Sequence, residues 1–88
     1  MRVNTGHGFD AAKHLFQRAG LSKDSVESAI VKDVVSQERA GLIPRNPPPG
    51  LFRVSVGGAT VEYQAMYVGN PLYDLAVATY YVVRLPIP

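Results

Sequence analysis

The chain has 88 residues, with nine Lys and Arg against seven Asp and Glu, a net charge of +2 with both histidines neutral. Charged residues make up 18% and apolar residues 47%, enough apolar material for one small core and too little charge for a long disordered tail. No run approaches the roughly 18 consecutive apolar residues of a membrane span. The absence of cysteine excludes a disulfide framework, a thiolate zinc site and a cysteine nucleophile.

The opening Met1-Arg2-Val3-Asn4-Thr5-Gly6 lacks the apolar core of a signal peptide. Residues 8–19 read as a first helix, because Phe9, Ala12, Phe16 and Ala19 recur at spacings of three and four and form one stripe. Gly20 suits the left-handed position just past a helix end. Ser22 is the expected N-cap of a second helix, with Asp24 and Glu27 in its first turn favoured by the helix dipole. That helix runs to about Arg39 or Ala40 and is closed by Gly41. Its core face is Val26, Ala29, Ile30 and Val34, and a second apolar flank, Val31 and Val35, suggests deep burial.

Residues 41–50, ending in Pro47-Pro48-Pro49-Gly50, cannot continue a helix and read as a semi-rigid crossover. Leu51–Val56 and Ala59–Val68 read as strands joined by a two-residue Gly57-Gly58 turn. In the second of them, Val61, Tyr63, Ala65 and Tyr67 share one face, and Thr60, Glu62, Gln64 and Met66 the other. After a turn at Gly69-Asn70-Pro71, a third strand runs from Leu75 to about Leu85 and is ended by Pro86 and Pro88. The expected architecture is a single α+β domain over 1–88: a helical half (1–40), the crossover (41–50), and a sheet half (51–88). Two N-terminal helices pack on a small three- to four-stranded antiparallel sheet, in the order α-α-β-β-β.

Charge is unevenly spread along this plan. Residues 1–50 hold seven basic and five acidic groups, whereas 51–88 hold only Arg53, Arg84, Glu62 and Asp74 together with all five tyrosines. The net charge is too small to argue nucleic-acid binding by itself. A sheet so short of charge, if its tyrosines point away from the helices, presents an aromatic surface that can stack nucleobases or dock a protein.

The chemistry-bearing residues cluster near the N-terminus. Gly6-His7-Gly8 and Lys13-His14 put two histidines and a lysine within eight residues. Histidine's ordinary pKa suits proton transfer near neutrality, so the pair can supply a general base and a general acid. The competing reading is two solvated side chains. The seven-residue separation of His7 and His14 is not the i, i+4 spacing of a helical metal pair, and no metal set is assigned. There is no nucleophile-elbow serine, P-loop or strand-linked GxGxxG, and no cofactor is called for. On the sheet, Arg53 can hold phosphate or pair with Glu62 across the hairpin. The hydroxyl of Thr79 can bond a phosphate, or Thr79 can be simply a good strand former.

The ordered pattern Gly6-His7-Gly8, Lys13-His14, Gly20-Leu21-Ser22, Val26-Glu27-Ser28-Ala29-Ile30, a Pro-rich crossover, Val61-Glu62-Tyr63 and Ala78-Thr79-Tyr80-Tyr81 resembles a known class. It is similar to the C-terminal toxin domains of bacterial polymorphic toxins, including contact-dependent inhibition and Rhs-type effectors. Among these it most resembles ribonucleases of the barnase–EndoU–colicin–RelE type of fold. The resemblance implies metal-free RNA cleavage by attack of a ribose 2′-hydroxyl on the adjacent phosphorus, with tRNA among the candidate substrates. It implies acid/base roles for His7 and His14, phosphate binding by Lys13 or Arg53, and a terminal-strand Thr/Tyr motif in Thr79 with Tyr80 or Tyr81. Tyr63 joins Lys13, Arg53 and Tyr80 as a substrate-binding candidate. A cognate immunity protein is implied as partner, as is delivery within a larger effector to the target-cell cytoplasm. One departure is that His14 lies opposite the Phe9/Phe16 stripe, which favours His7 at the helix mouth. The alternative function is a non-enzymatic interaction module that docks a partner on a Tyr-rich sheet face.

Overall fold

A computed structural model describes residues 1–86 of the chain. It opens with a two-residue strand, β1 (Arg2–Val3), followed by two 3-10 turns (Thr5–His7 and Asp10–Ala12) and two helices, α1 (Lys13–Arg18) and α2 (Lys23–Arg39). Strands β2 (Gly50–Val56), β3 (Ala59–Tyr67) and β4 (Leu75–Arg84) complete a four-stranded sheet of order β1-β4-β3-β2. The domain is α+β, but the wholly antiparallel sheet in α-α-β-β-β order is corrected: a strand precedes the helices, and β1 pairs parallel with β4. Arg2 lies beside Ala76 and Val3 beside Val77, and the Asn4 N–H donates to the Val77 carbonyl at 3.0 Å. Two residues are too few to carry an alternation signal, and their partner strand lies at the far end of the sequence.

The first helix is also shorter than its apolar stripe suggests. Only Lys13–Arg18 is α-helical, because Ala12 leaves helical geometry (φ −132°, ψ 35°) where the 3-10 turn joins it. The stripe nevertheless does its packing. Phe9 and Phe16 are buried and stacked at 5.0 Å, and Phe16 meets the Tyr80 ring edge-on at 5.7 Å. Gly8 lies against that same ring so closely that a Cβ there would fall 2.1 Å from Tyr80 Cε1. The chain can therefore pass from the sheet edge to the helix layer at this point only with glycine.

Both helices end in the same way. At α1, Gly20 N–H donates to Gln17 O and Leu21 N–H to Phe16 O; at α2, Gly41 N–H donates to Glu38 O and Leu42 N–H to Gln37 O. Gly20 and Gly41 take φ of +74° and +73°, the left-handed residue of a Schellman motif. Ser22 caps α2 as expected, its Oγ accepting from Ser25 N–H at 3.2 Å. Val26, Ile30 and Val34 are fully buried on α2, each contributing about 1.5–3 kcal/mol relative to exposure. The second flank does not follow: Val31 is 37% exposed and Val35 half-buried, because α2 covers one face of one sheet and has no neighbour on its other side.

The hairpin turn falls where expected, with φ positive at both Gly57 and Gly58 and Val56 opposite Ala59. The crossover rejoins the sheet through Pro44, whose carbonyl accepts from Tyr67 N–H at 3.0 Å. Beyond β3, the Asn70 side chain accepts from Leu72 N–H at 2.8 Å in the loop at Gly69-Asn70-Pro71. Pro88, expected to help end the last strand, lies outside the described residues. No helix among the described residues is long and apolar enough to cross a membrane.

A bulge in β4 decides which side chains face the helices. Gln64 pairs with Thr79 but Ala65 with Val77, so Ala78 is an extra residue. Before it, Leu75 and Val77 point to the helices; after it, Tyr80 does, while Thr79 and Tyr81 turn to the open face. The expected aromatic surface away from the helices is accordingly corrected. Tyr63, Tyr67 and Tyr80 all lie on the covered side with Val61 and Ala65, and Tyr81 stands on the open side beside Glu62.

Candidate functional site on the open sheet face

The covered face carries a row of phenol–carboxylate bonds to α2. Tyr63 Oη donates to Asp33 Oδ2 at 2.5 Å, Tyr67 Oη to Glu38 Oε2 at 2.6 Å, and Tyr80 Oη to Glu27 Oε2. Burial, and then the bonded carboxylate, pushes the Tyr63 and Tyr80 phenols well above their ordinary range. Tyr63 and Tyr80, taken from the sequence as substrate-binding candidates, are 0% and 1% exposed. Their rings are spent on the core and their hydroxyls on α2, so neither offers a stacking surface.

The open face is built differently. Arg53 on β2, Glu62 on β3 and Tyr81 on β4 stand in one row, Arg53 opposite Glu62 and Glu62 opposite Tyr81. Arg53 Nε donates to Glu62 Oε2 at 3.1 Å, and Tyr81 Oη donates to Glu62 Oε1 at 2.8 Å. The cross-strand Arg53–Glu62 pair read from the hairpin register is therefore present. Glu62 is sheltered, its side chain 12% exposed, whereas the Arg53 side chain is 68% exposed. The bond to Glu62 raises the Tyr81 phenol, which stays a proton donor to the carboxylate.

Register places Arg84 beside Thr60 and Arg2 beside Ala76, both open-face positions. The Arg2 guanidinium also donates to Tyr73 Oη at 3.1 Å. The face thus carries three arginines and one carboxylate, Glu62. Glu27, Asp33 and Glu38, in contrast, are committed to tyrosines beneath the sheet. Among the described residues, the three arginines and Glu62 leave the face net positive.

Thr79 is the open-face residue nearest the N-terminal histidine. It is a diagonal neighbour of Glu62 across the β3–β4 pair, about 7–8 Å between strand positions. Its Oγ1 donates to the His7 carbonyl at 2.7 Å. The His7 N–H donates to Asn4 Oδ1 at 3.2 Å. Both backbone groups of His7 are thereby held by side chains while the residue itself is exposed. The same turn is fastened below by Thr5 Oγ1, which donates to Glu27 Oε2 at 2.6 Å.

Of the sequence-derived candidates, Thr79, Tyr81 and Arg53 stand on the open face, and Thr79 fixes the His7 backbone at its rim. Lys13 and His14 lie elsewhere. They are exposed on α1, whose Phe16 packs on the covered side against Tyr80, so the sheet stands between them and Glu62. Glu62 and Asn4 are the residues that sequence reasoning left out of the site. Glu62 is readable from the sequence as a polar candidate of the sheet and as the partner of Arg53, but strand alternation does not reveal that Tyr81 shares its carboxylate. Asn4 did carry a signal: an Asn three residues before His7 is the spacing of a capping side chain. Comparison with protein-family models, with curated proteins and with solved structures returned no match.

Proposed function

We propose that the chain is a bacterial toxin domain that cleaves RNA without a metal, binding it across the open sheet face. The observation that carries this reading is the row Arg53–Glu62–Tyr81 with His7 fastened one diagonal step away at Thr79. In the proposed reaction a Glu62 carboxylate oxygen takes the proton of a ribose 2′-hydroxyl as that oxygen attacks phosphorus. The bond from phosphorus to the 5′-oxygen breaks, and the imidazolium of His7 protonates the departing oxygen. The products are a 2′,3′-cyclic phosphate and a free 5′-hydroxyl. Arg53, bonded to Glu62 through Nε alone, keeps terminal guanidinium N–H groups for the equatorial phosphorane oxygens. Tyr81 orients the carboxylate.

Delivery within a larger effector to a target-cell cytoplasm, and neutralisation by a cognate immunity protein, belong to the same proposal. Either tRNA or another RNA class satisfies this chemistry. A Tyr-rich docking module is not carried forward, since three of the sheet's tyrosines are turned to α2.

The test is expression of the wild type, His7→Ala and Glu62→Gln in a bacterium, followed by growth curves and total RNA on a gel. The expected result is growth arrest with fragmented RNA for the wild type alone, the fragments ending in cyclic phosphate. Intact RNA and normal growth in all three cultures would overturn the proposal.

A further inference from the structure

The His7 turn is more tightly determined than a surface turn needs to be. Its N–H is taken by Asn4 Oδ1 and its carbonyl by Thr79 Oγ1. Gly8 N–H closes the turn onto Thr5 O at 3.1 Å, and Thr5 reaches down to Glu27. The residue on either side is glycine, and Gly8 is pressed on the buried Tyr80 ring, where no side chain fits. The segment is also sewn to the sheet immediately before the turn, through Asn4 N–H and Val77 O. Four parts of the fold (β1, β4, α2 and the turn itself) therefore converge on the backbone of one exposed histidine. An exposed imidazole has no packing of its own to set its direction. A clamp on its backbone is the remaining way to set where it points.

We infer that Asn4 and Thr79 are positioning residues that hold the backbone of His7 so that its imidazole faces the Glu62–Arg53 row. The inference rests on the ribonuclease reading for its purpose, but not for its geometry. Thr79 on this account touches no substrate. Its hydroxyl proton is committed to the His7 carbonyl, and its effect on cleavage passes through His7. A displacement of about 1 Å at a reacting group can cost about 100-fold in rate, which sets the scale of what the clamp can control.

The experiment compares purified wild type, Thr79→Val, Thr79→Ser and Asn4→Ala in two measurements. The first is steady-state cleavage of an RNA oligonucleotide over a range of pH. The second is the NMR titration of the imidazoles, of which there are only two, so that His14 on α1 serves as the internal reference. Thr79→Val is isosteric and lacks the donor. It is expected to lower kcat by about tenfold or more with KM within about twofold, and to shift or broaden the His7 resonance while His14 stays in place. Thr79→Ser should restore both, and Asn4→Ala should reproduce the Val effect.

A general loss of stability would move both histidines and would not be rescued by serine. Wild-type kcat together with an unmoved His7 resonance in both Thr79→Val and Asn4→Ala overturns the inference. Should Thr79→Val fail to fold, Asn4→Ala, altered in an exposed turn, decides the matter by the same two measurements. A wild type that leaves RNA intact overturns the ribonuclease reading instead. The clamp is then judged on the His7 resonance alone, upheld if it moves in the variants and overturned if it does not.

Discussion

The two faces of the sheet use the same bond for opposite ends. Beneath the sheet, Tyr63, Tyr67 and Tyr80 donate to Asp33, Glu38 and Glu27 of α2, so each phenol–carboxylate bond joins two layers. Above it, Tyr81 donates to Glu62 on the adjacent strand, and the bond stays within one layer. A bond between layers holds the fold together and uses up the carboxylate. A bond within a layer leaves the carboxylate on a surface, flanked by the exposed Arg53. What separates the carboxylates beneath the sheet from Glu62 is the direction from which the phenol donor comes, not the residue type.

Changes on the covered face should therefore affect stability, and changes on the open face should affect rate. The largest effect is expected from Phe16→Ala, which empties the fully buried contact between Phe9 and Tyr80. It should cost about 3–5 kcal/mol, measured as a fall in the urea midpoint, with the rate per folded molecule retained. His7→Ala sits on the other side of the comparison. It should slow RNA cleavage by about 100-fold or more while leaving the urea midpoint near that of the wild type. A loss of stability in place of rate would erase the distinction between the faces.

Tyr63→Phe comes next. It removes a bond to a charged acceptor and leaves Asp33 with only a 3.4 Å contact from Gln37. The expected cost is about 1.5–3 kcal/mol by urea unfolding. The same bonds fix the response to alkali. Because the folded-state phenols of Tyr63 and Tyr80 are raised, the folded state keeps protons that the unfolded state releases above pH of about 10. The stabilisation is complete below that point and is lost as pH rises beyond it, by about 1.4 kcal/mol per tyrosine at pH 11. Urea midpoints at pH 8, 10 and 11 check this, and Tyr63→Phe should weaken the dependence without abolishing it, since Tyr67, Tyr80 and Tyr81 are raised as well. The smallest effect belongs to Tyr81→Phe, which frees one oxygen of Glu62. It should change kcat/KM by roughly two- to tenfold and leave the unfolding midpoint where it was.

Much of this was readable beforehand where a local rule acts alone. Ser22 and Gly41 bound α2 because a capping hydroxyl and a left-handed glycine are local needs. The Gly57-Gly58 hairpin set the β2–β3 register and so the Arg53–Glu62 pair. The readings that failed involve a partner far away in the chain. The stripe from Phe9 to Ala19 has helical spacing, yet its first half is drawn into 3-10 turns where Gly8 meets Tyr80. The parallel strand β1 is two residues long and is defined entirely by β4. For the site, His7, Thr79, Tyr81 and Arg53 were legible as residue types. Their separation from Lys13 and His14 was not, since chain proximity placed all three basic groups together and the sheet then divided them.

The sequence alone reads as one small domain with a charged helical half and a charge-poor strand half, its chemistry carried by His, Lys, Arg, Tyr, Thr and a few carboxylates. Those conclusions rest on composition and on periodicities of two and 3.6 residues, which are properties of neighbouring positions. Only the tertiary structure decided which tyrosines are core and that Tyr81 meets Glu62 from β4. A single extra residue at Ala78 reverses the facing of Thr79 to Val82 in β4, up to a second register shift at Val83. That reversal sends Tyr80 down to Glu27 and brings Thr79 and Tyr81 up to the open face, where Thr79 meets the His7 backbone. A bulge is set by pairing with the next strand, and pairing energy is shared between segments that no local pattern connects.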